Sequence, residues 1–410
     1  MILAHRIALD TTVKQRRYFE RAAGCDRFVW NIALEMWNAE YKAGGKPKAS
    51  ELKKRFNAVK YQQYPWMREV HRDAHADPFA RLQQAWSTWF KAQKRGDKRA
   101  RPPRFHKKGR RASFYVANDK LRIGKDGWSA TLPLVGSVRM RERLRFAGKI
   151  MGAVVSRTAG RWFVSIQVDV EDSKAQRRRT GHGVAGVDVG IKHAAVITRE
   201  VAGEVATTEF VDAPKPLKKS LRKLRRMQRS TSRRQKGGKN RTKLVHKVAS
   251  VHARIASIRD DFWNKLTTRL CRENQAVAIE DLNVKGMVGN RRLARALSDV
   301  GFGTFRQKME YKTKLYGTRL VLADRWYPSS KTCSRCGAVK KVLGLGDRVF
   351  RCDECGHVQD RDVNASTNLC GLAKRSVPTA CGEITPAESG VVMPLVEAGS
   401  TPCAGSHSHT

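Results

Sequence analysis

Two Cys-x-x-Cys pairs, Cys333-Ser334-Arg335-Cys336 and Cys352-Asp353-Glu354-Cys355, stand fifteen residues apart, and Asp360-Arg361-Asp362-Val363-Asn364-Ala365 follows almost at once. Four cysteines at this spacing fold a short ribbon around one tetrahedral Zn²⁺, because each pair aims two thiolates at one point. Four protein ligands close such a site, so it cannot activate water. The neighbouring carboxylates offer oxygen ligands suited to Mg²⁺ or Mn²⁺, and imply a second, catalytic metal site. The other cysteines, Cys25, Cys271, Cys370, Cys381 and Cys403, are scattered, as in a reducing compartment rather than a disulfide framework.

Charge narrows the partners. The chain carries 82 Lys and Arg against 37 Asp and Glu, a formal +45, and no compact soluble protein gains stability from such self-repulsion. A nucleic acid is the expected partner, and a cationic surface kept for solubility explains the excess less well. No run of about 18 apolar residues exists, and Met1 to Arg6 lacks a signal peptide's apolar core, so no membrane partner and a cytoplasmic location are expected. At 410 residues, two to four folded units are expected.

Ile2 to Leu9 reads as a strand, and Phe28/Val29, Ile32/Ala33 and Met36/Trp37 then recur like the buried stripe of a helix. Asp77-Pro78 reads as an N-cap with proline in the first turn, and Phe79, Leu82, Trp86, Trp89 and Phe90 continue on one face. At that spacing aromatics are core before they are base-stacking platforms. A basic loop rich in proline follows, Arg101 to Arg111, and then strands at Ala153–Arg157 and Arg161–Val168 with a turn at Thr158-Ala159-Gly160. This β module is expected to pair with the N-terminal strand, the helices being inserted between its two pieces.

Val184 to Ile197 reads as two apolar strands and Ala276 to Ile279 as a third. Between them no Asp or Glu occurs from Ala213 to Arg259. Leu244, Val248, Val251, Ile255, Ile258, Phe262, Leu266 and Leu270 step by three and four, predicting a long helix with one packed face and one basic face. An unbalanced run of one sign is suited to phosphates. The candidate nucleic-acid contacts are Arg104, Lys107, Lys108, Arg110 and Arg111 in the first basic segment and Lys218, Lys219, Arg222, Arg225, Arg226, Arg233 and Arg234 in the second. Beyond Arg375 there is no Lys or Arg, and the Gly-, Pro-, Ser- and Thr-rich tail is expected to be disordered.

Asp188 sits in the apolar run Val184 to Gly190, Glu280 ends Gln275 to Ile279, and Asp362 stands where a polar turn meets a helix-like run. A buried carboxylate without a partner costs several kcal/mol, so a metal or a cation must hold it. Three acids distant in sequence, at strand ends and a helix start, are what a two-metal nuclease needs, although Asp281 and Asp360 compete with their neighbours for the role. Serine, cysteine or histidine nucleophiles find no support: no GxSxG occurs, and His182 and His193 read as strand-end or phosphate-facing residues.

Gly186-Val187-Asp188-Val189-Gly190-Ile191-Lys192, Ile279-Glu280-Asp281-Leu282, the cysteine ribbon and Asp360 to Ala365 resemble the split RuvC motifs of the TnpB family of insertion-sequence proteins, related to type V CRISPR effectors. The resemblance extends through Arg27-Phe28-Val29-Trp30-Asn31, Pro103-Arg104-Phe105, Ser298-Asp299 and Tyr327-Pro328-Ser329-Ser330. It implies a multidomain α/β chain: a wedge β-barrel from residues 1–11 and 96–180, a helical recognition module over 12–95, an RNase H-like RuvC nuclease domain over 181–322 and 359–376, an inserted zinc ribbon over 323–358, and a tail over 377–410. It further implies an RNA-guided DNA endonuclease, with a guide RNA encoded by the element and double-stranded target DNA as partners. Motif by motif, Asp188, Glu280 and Asp362 become the catalytic ligands of Mg²⁺ or Mn²⁺, and Cys333, Cys336, Cys352 and Cys355 hold one structural Zn²⁺. Ser366 departs from the family, which has alanine there. The alternatives are a nuclease-inactive RNA-guided repressor and a transposase acting in strand transfer.

Overall fold

A computed structural model describes residues 1–97, 99–109, 112–171, 177–201, 204, 206–344, 346–377 and, as backbone, 390–392. It divides into two compact units, Met1–Ala175 and Gln176–Thr410. The expected contacts Arg110 and Arg111 lie outside the described residues, as does the tail beyond Val377 apart from 390–392. Among the described residues no helix is long and apolar enough to cross a membrane.

The first unit opens with β1 (Ile2–Asp10), followed by α1 (Val13–Lys42), α2 (Ala49–Gln63) and α3 (Asp73–Lys94). A capping box starts α1: the Gln15 amide donates to Thr12 Oγ1 at 3.2 Å and the Thr12 amide to Gln15 Oε1 at 3.0 Å. Helix α3 begins earlier than the sequence predicts. Asp77 is not its N-cap, and Pro78 lies inside the helix. Asp73 holds the helix start instead, accepting from the Ala117 amide at 2.9 Å and pairing with Lys120 at 2.7 Å, while Asp77 pairs with Arg81 one turn on. The proline removes one backbone bond in the second turn, a loss offset by the burial of Phe79 and Leu82. The aromatic stripe is core, as expected: Trp37 stacks on Trp86 with ring centroids 5.7 Å apart.

Six strands complete this unit: β2 (Ser113–Ala117), β3 (Arg122–Ile123), β4 (Ser129–Leu132), β5 (Gly136–Met140), β6 (Lys149–Thr158) and β7 (Arg161–Asp169). They form the wedge β module, a seven-stranded sheet in the order β2-β6-β7-β1-β5-β4-β3. Strand β1 joins the two halves of the sheet, pairing antiparallel with β7 through residues 2–8 and with β5 through Leu9 and Asp10. Ala159 and Gly160, both at positive φ, make the two-residue turn between β6 and β7. Trp162, Val164, Ile166 and Val168 share the buried face of β7, and Phe19 of α1 packs on Trp162 at 5.2 Å.

The second unit contains β8 (Gly183–Asp188), β9 (Ala195–Glu200), β10 (Thr207–Val211), α4 (Pro216–Ser232), α5 (Lys239–Glu273), β11 (Asn274–Glu280), α6 (Val284–Gly289), α7 (Ala294–Val300), α8 (Phe302–Tyr316) and β12 (Arg319–Ala323). It continues with β13 (Val349–Arg351), β14 (Val358–Asp360), α9 (Arg361–Arg375) and β15 (Gly390–Val392). The sheet runs β10-β9-β8-β11-β12-β15. Strands β8, β9 and β10 form an antiparallel meander, and β11 and β12 add in parallel, which is the RNase H-like order expected. Helix α9 packs across β8, β9, β11 and β12. The hairpin β13–β14 belongs to the ribbon, whose small core is Phe350 with Cys333 and Cys352. In α5 the expected stripe is buried only in its second half: Ile255, Leu266 and Leu270 are buried, whereas Ile258 is exposed and Trp263, not Phe262, is fully enclosed.

Candidate catalytic and metal-binding centre

Asp188 is the last residue of β8 and Glu280 the last of β11. These strands are parallel neighbours with Val187 opposite Ile279, so the two acids, one residue further on, leave the same end of the sheet on the same face. Asp362 is in the first turn of α9. What brings α9 so close is Gly186. A Cβ there would lie 2.1 Å from both the Cys370 nitrogen and the Ser366 oxygen, so only glycine lets the helix backbone rest against β8. Ser366, the departure from the family, is fully buried but satisfied, with Oγ 2.7 Å from Thr198 Oγ1 of β9 and 3.0 Å from the Val363 carbonyl.

Burial pushes the Asp188 carboxyl well above the ordinary carboxylate range, and the charges of Glu280 and Asp362 push it further. Burial also raises Glu280, opposed by a 2.5 Å hydrogen bond from Ser329 Oγ to Glu280 Oε1 and by the charge of Arg361. Among the described residues neither acid has an ion-pair partner. The rival acids are otherwise engaged. Burial works against ionisation of Asp281, but Arg306 and Arg325 outweigh it and hold its carboxyl below the usual range. Asp360 is the N-cap of α9, its Oδ1 accepting from the amides of Asp362 at 2.9 Å and Val363 at 3.3 Å.

The four cysteines meet. Cys333 and Cys355 Sγ are 3.7 Å apart, Cys336 and Cys352 Sγ 3.6 Å, and all four lie within 4.8 Å of one another. A Zn–S distance of about 2.3 Å gives tetrahedron edges of about 3.8 Å, and a disulfide would need about 2.05 Å, so the donor set fits one structural Zn²⁺. Gly337 and Gly356, each just after a pair, are at φ 80° and 66° and close the two knuckles. Among the described residues this is the one group of three or more candidate ligands gathered so tightly.

Residues to which the sequence assigns no role of their own join the two centres. Fully buried Asn364 of α9 donates to the Thr332 carbonyl at 2.7 Å and accepts from the Ser334 amide, inside the first knuckle, at 3.0 Å. One turn on, Asn368 donates to the carbonyls of Ser329 at 2.8 Å and Thr332 at 2.7 Å. The helix that carries Asp362 thus grips the loop that holds both Glu280 and the ribbon. In the sequence, Asn364 belongs to the Asp360–Ala365 motif, and Asn368 follows it at i+4 on the last helix.

The basic segments differ in construction. In the first unit, Trp30 Nε1 donates to the Arg104 carbonyl at 3.0 Å, the Trp30 ring stacks on His106 at 4.5 Å, and Asn31 pairs both ways with the His106 backbone. The loop is therefore fixed to α1, with Arg104, Lys107 and Lys108 exposed. In the second unit, Lys218, Lys219, Arg222, Arg225, Arg226, Arg233 and Arg234 are all exposed along or just after α4. Buried Asp299 caps that helix, accepting from the amides of Leu217 and Lys218 at 2.9 Å each.

Known proteins share this architecture. A family model described as "Probable transposase", of the IS605 OrfB type, matches residues 165–291, and one described as "Cas12f1-like, TNB domain" matches residues 302–369. A third, "Helix-turn-helix domain", matches residues 1–46, which here form one strand and one unbroken helix. A Streptomyces pristinaespiralis protein named "Putative RNA-guided DNA endonuclease" is 37% identical over 385 residues, covering 91% of this chain and 89% of its own. A Mycobacterium tuberculosis protein of the same type of name is 32% identical over 400 residues, covering 90% and 86%. The Cas12f1 chain solved with sgRNA and target DNA superposes with a TM-score of 0.52 at 15% identity, over 87% of this chain and 82% of that one, a likeness of fold. The class is therefore an RNase H-like protein with a ribbon inserted before its last helix. Within that class, the chain belongs to the TnpB family.

Proposed function

We propose that the chain is an RNA-guided DNA endonuclease that cuts target DNA beside a short flanking motif, with Asp188, Glu280 and Asp362 as ligands of Mg²⁺ or Mn²⁺. The observation that carries this reading is the meeting of three carboxylates at one end of the sheet, two of them forced toward protonation by burial and mutual repulsion. Carboxylates from three separate elements suit two cations held about 3.5–4 Å apart. Bound there, divalent cations supply an activated water and stabilise charge on the leaving oxygen. Ser329 orients Glu280, Gly186 admits α9 so that Asp362 reaches the centre, and Asp360 secures the first turn that carries it.

The exposed cations of the Arg101–Lys108 loop and of α4 are suited to phosphates of a guide RNA and of DNA, contacts that fix register without reading sequence. Base pairing with the guide then selects the target, and the protein reads only the flanking motif. The protein acts in the cytoplasm, with the RNA encoded by its own element. The test is cleavage of plasmid targets by protein purified with that RNA: Mg²⁺-dependent cutting that follows the guide sequence supports the reading, and guide-independent cutting by RNA-free protein overturns it.

A further inference from the structure

Trp326 is 85% exposed, more than any other large apolar side chain among the described residues. Single apolar side chains on a surface need no explanation; this one stands on the rim of the carboxylate centre. Its predecessor Arg325 donates to Asp281, the residue after Glu280, at 2.8 Å, and Ser329, three residues on, donates to Glu280 itself. The turn is fixed. The Trp326 amide donates to Asp324 Oδ1 at 2.8 Å, the Tyr327 amide donates to the Asp324 carbonyl at 3.0 Å, and the Tyr327 side chain packs into the core under α9. With both neighbours tied inward, the indole is held outward, just past Ala323, which lies opposite Glu280 in the parallel ladder.

We propose that Trp326 is a stacking platform for an unpaired nucleobase of the DNA strand that enters the carboxylate centre, an inference that rests on the nuclease reading above. Every base has a π-face, so an aromatic platform grips a strand without choosing sequence, as a guide-directed enzyme requires at its cutting centre. A duplex hides those faces within its stack, so the platform favours a strand already unwound. A phosphate-binding lysine in its place would hold either form.

The test uses the protein–guide RNA complex with intact targets and with single abasic nucleotides walked through the strand that is cut. For wild type, an abasic nucleotide at one position should slow cutting about tenfold, the scale of one base stacked on one aromatic ring. Trp326→Ala should be about as slow on intact DNA and indifferent to that same position, and Trp326→Phe should recover most of the rate. Equal cutting by wild type and Trp326→Ala, or losses that add at every abasic position, overturns the proposal. So does a change in the mass of the complex by light scattering on substitution, which makes the residue a protein contact. A wild-type complex that cuts nothing disproves the nuclease reading instead, and fluorescence anisotropy of a labelled oligothymidylate and its abasic counterpart then decides the stacking: a wild-type preference for the based oligonucleotide that Trp326→Ala abolishes sustains it, and no preference refutes it.

Discussion

Ser329 Oγ lies 2.5 Å from Glu280 Oε1, so a loop that leads into the ribbon holds the acid that ends β11. A hydroxyl donor stabilises the ionised carboxylate against the burial that opposes it. The ribbon side of the molecule thereby helps to set how readily Glu280 gives up its proton.

Ser329→Ala should weaken the apparent Mg²⁺ affinity of cleavage about 10- to 100-fold, the scale of a hydrogen bond to a charged group. Ser329→Thr, which keeps the hydroxyl, should fall between. Cleavage rate against Mg²⁺ concentration checks this: the curve shifts to higher concentration with its plateau less affected, and an unshifted curve contradicts the role.

Asp188→Asn, Glu280→Gln and Asp362→Asn should each abolish cutting while guide-directed binding to target persists, since the exposed cations of the two basic segments are untouched. Asp360→Ala should act on stability, costing about 0.5–2 kcal/mol as a lost N-cap, with cutting retained at low temperature. Denaturant unfolding paired with a cleavage assay separates the two classes. An Asp360→Ala protein of native stability that cannot cut would transfer the metal role to Asp360.

Gly186→Ala adds one methyl group against the backbone of α9, where nothing flexible can yield. It should destabilise the protein by about 1–3 kcal/mol and depress cutting further, because the displaced helix carries Asp362. Unchanged melting would mean that β8 and the backbone of α9 are not in contact at Gly186.

Cys352→Ser should remove about one zinc per chain by metal analysis and lower the melting temperature, since metal binding here is folding free energy. Cutting should fall as well, through Asn364 and the knuckle amide of Ser334. Asn364→Ala separates the effects: zinc content stays near one per chain while cutting falls.

For pH, Asp188 and Glu280 have carboxyls raised above their ordinary 3.8 and 4.5. Above those values the unfolded chain has released protons that the folded chain keeps, so ion-free stability falls as pH rises through the window up to the raised values. Cations bind the ionised form, so Mg²⁺ affinity rises over the same window. Melting curves with and without Mg²⁺ at about pH 5 and 8 should show the larger Mg²⁺ stabilisation at the higher pH, and the reverse order would contradict the assignment.

The sequence displayed groups whose chemistry is local. Cys333, Cys336, Cys352 and Cys355 announce themselves by spacing, and Asp188 and Glu280 by being acids in apolar strands. The period-two face of β7 and the stripe of α1 are visible because burial there follows one element's own periodicity. What stayed hidden needs two elements at once. The closeness of Gly186 to α9 depends on a helix far along the chain, and the bonds from Ser329 to Glu280 and from Trp30 to the Arg104 carbonyl join loops to distant elements. Pro78 misled because its usual place in a first turn is a local preference that core packing overrode. In α5 the partner helices, not the apolar stripe, decided that Trp263 rather than Phe262 is enclosed: its indole nitrogen donates to the Val300 carbonyl at 2.7 Å.

Of the three acids, Asp362 is the last to leave the ribosome. The strands bearing Asp188 and Glu280 emerge well before it, as do the basic loop and α4, and the four cysteines precede it more closely. A chain interrupted before Arg361 therefore holds most of what it needs to grip nucleic acid and lacks one of the carboxylates proposed to cut it. Because α9 docks on β8 from so far along the chain, the three carboxylates can come together only after both basic segments and the four cysteines have been made.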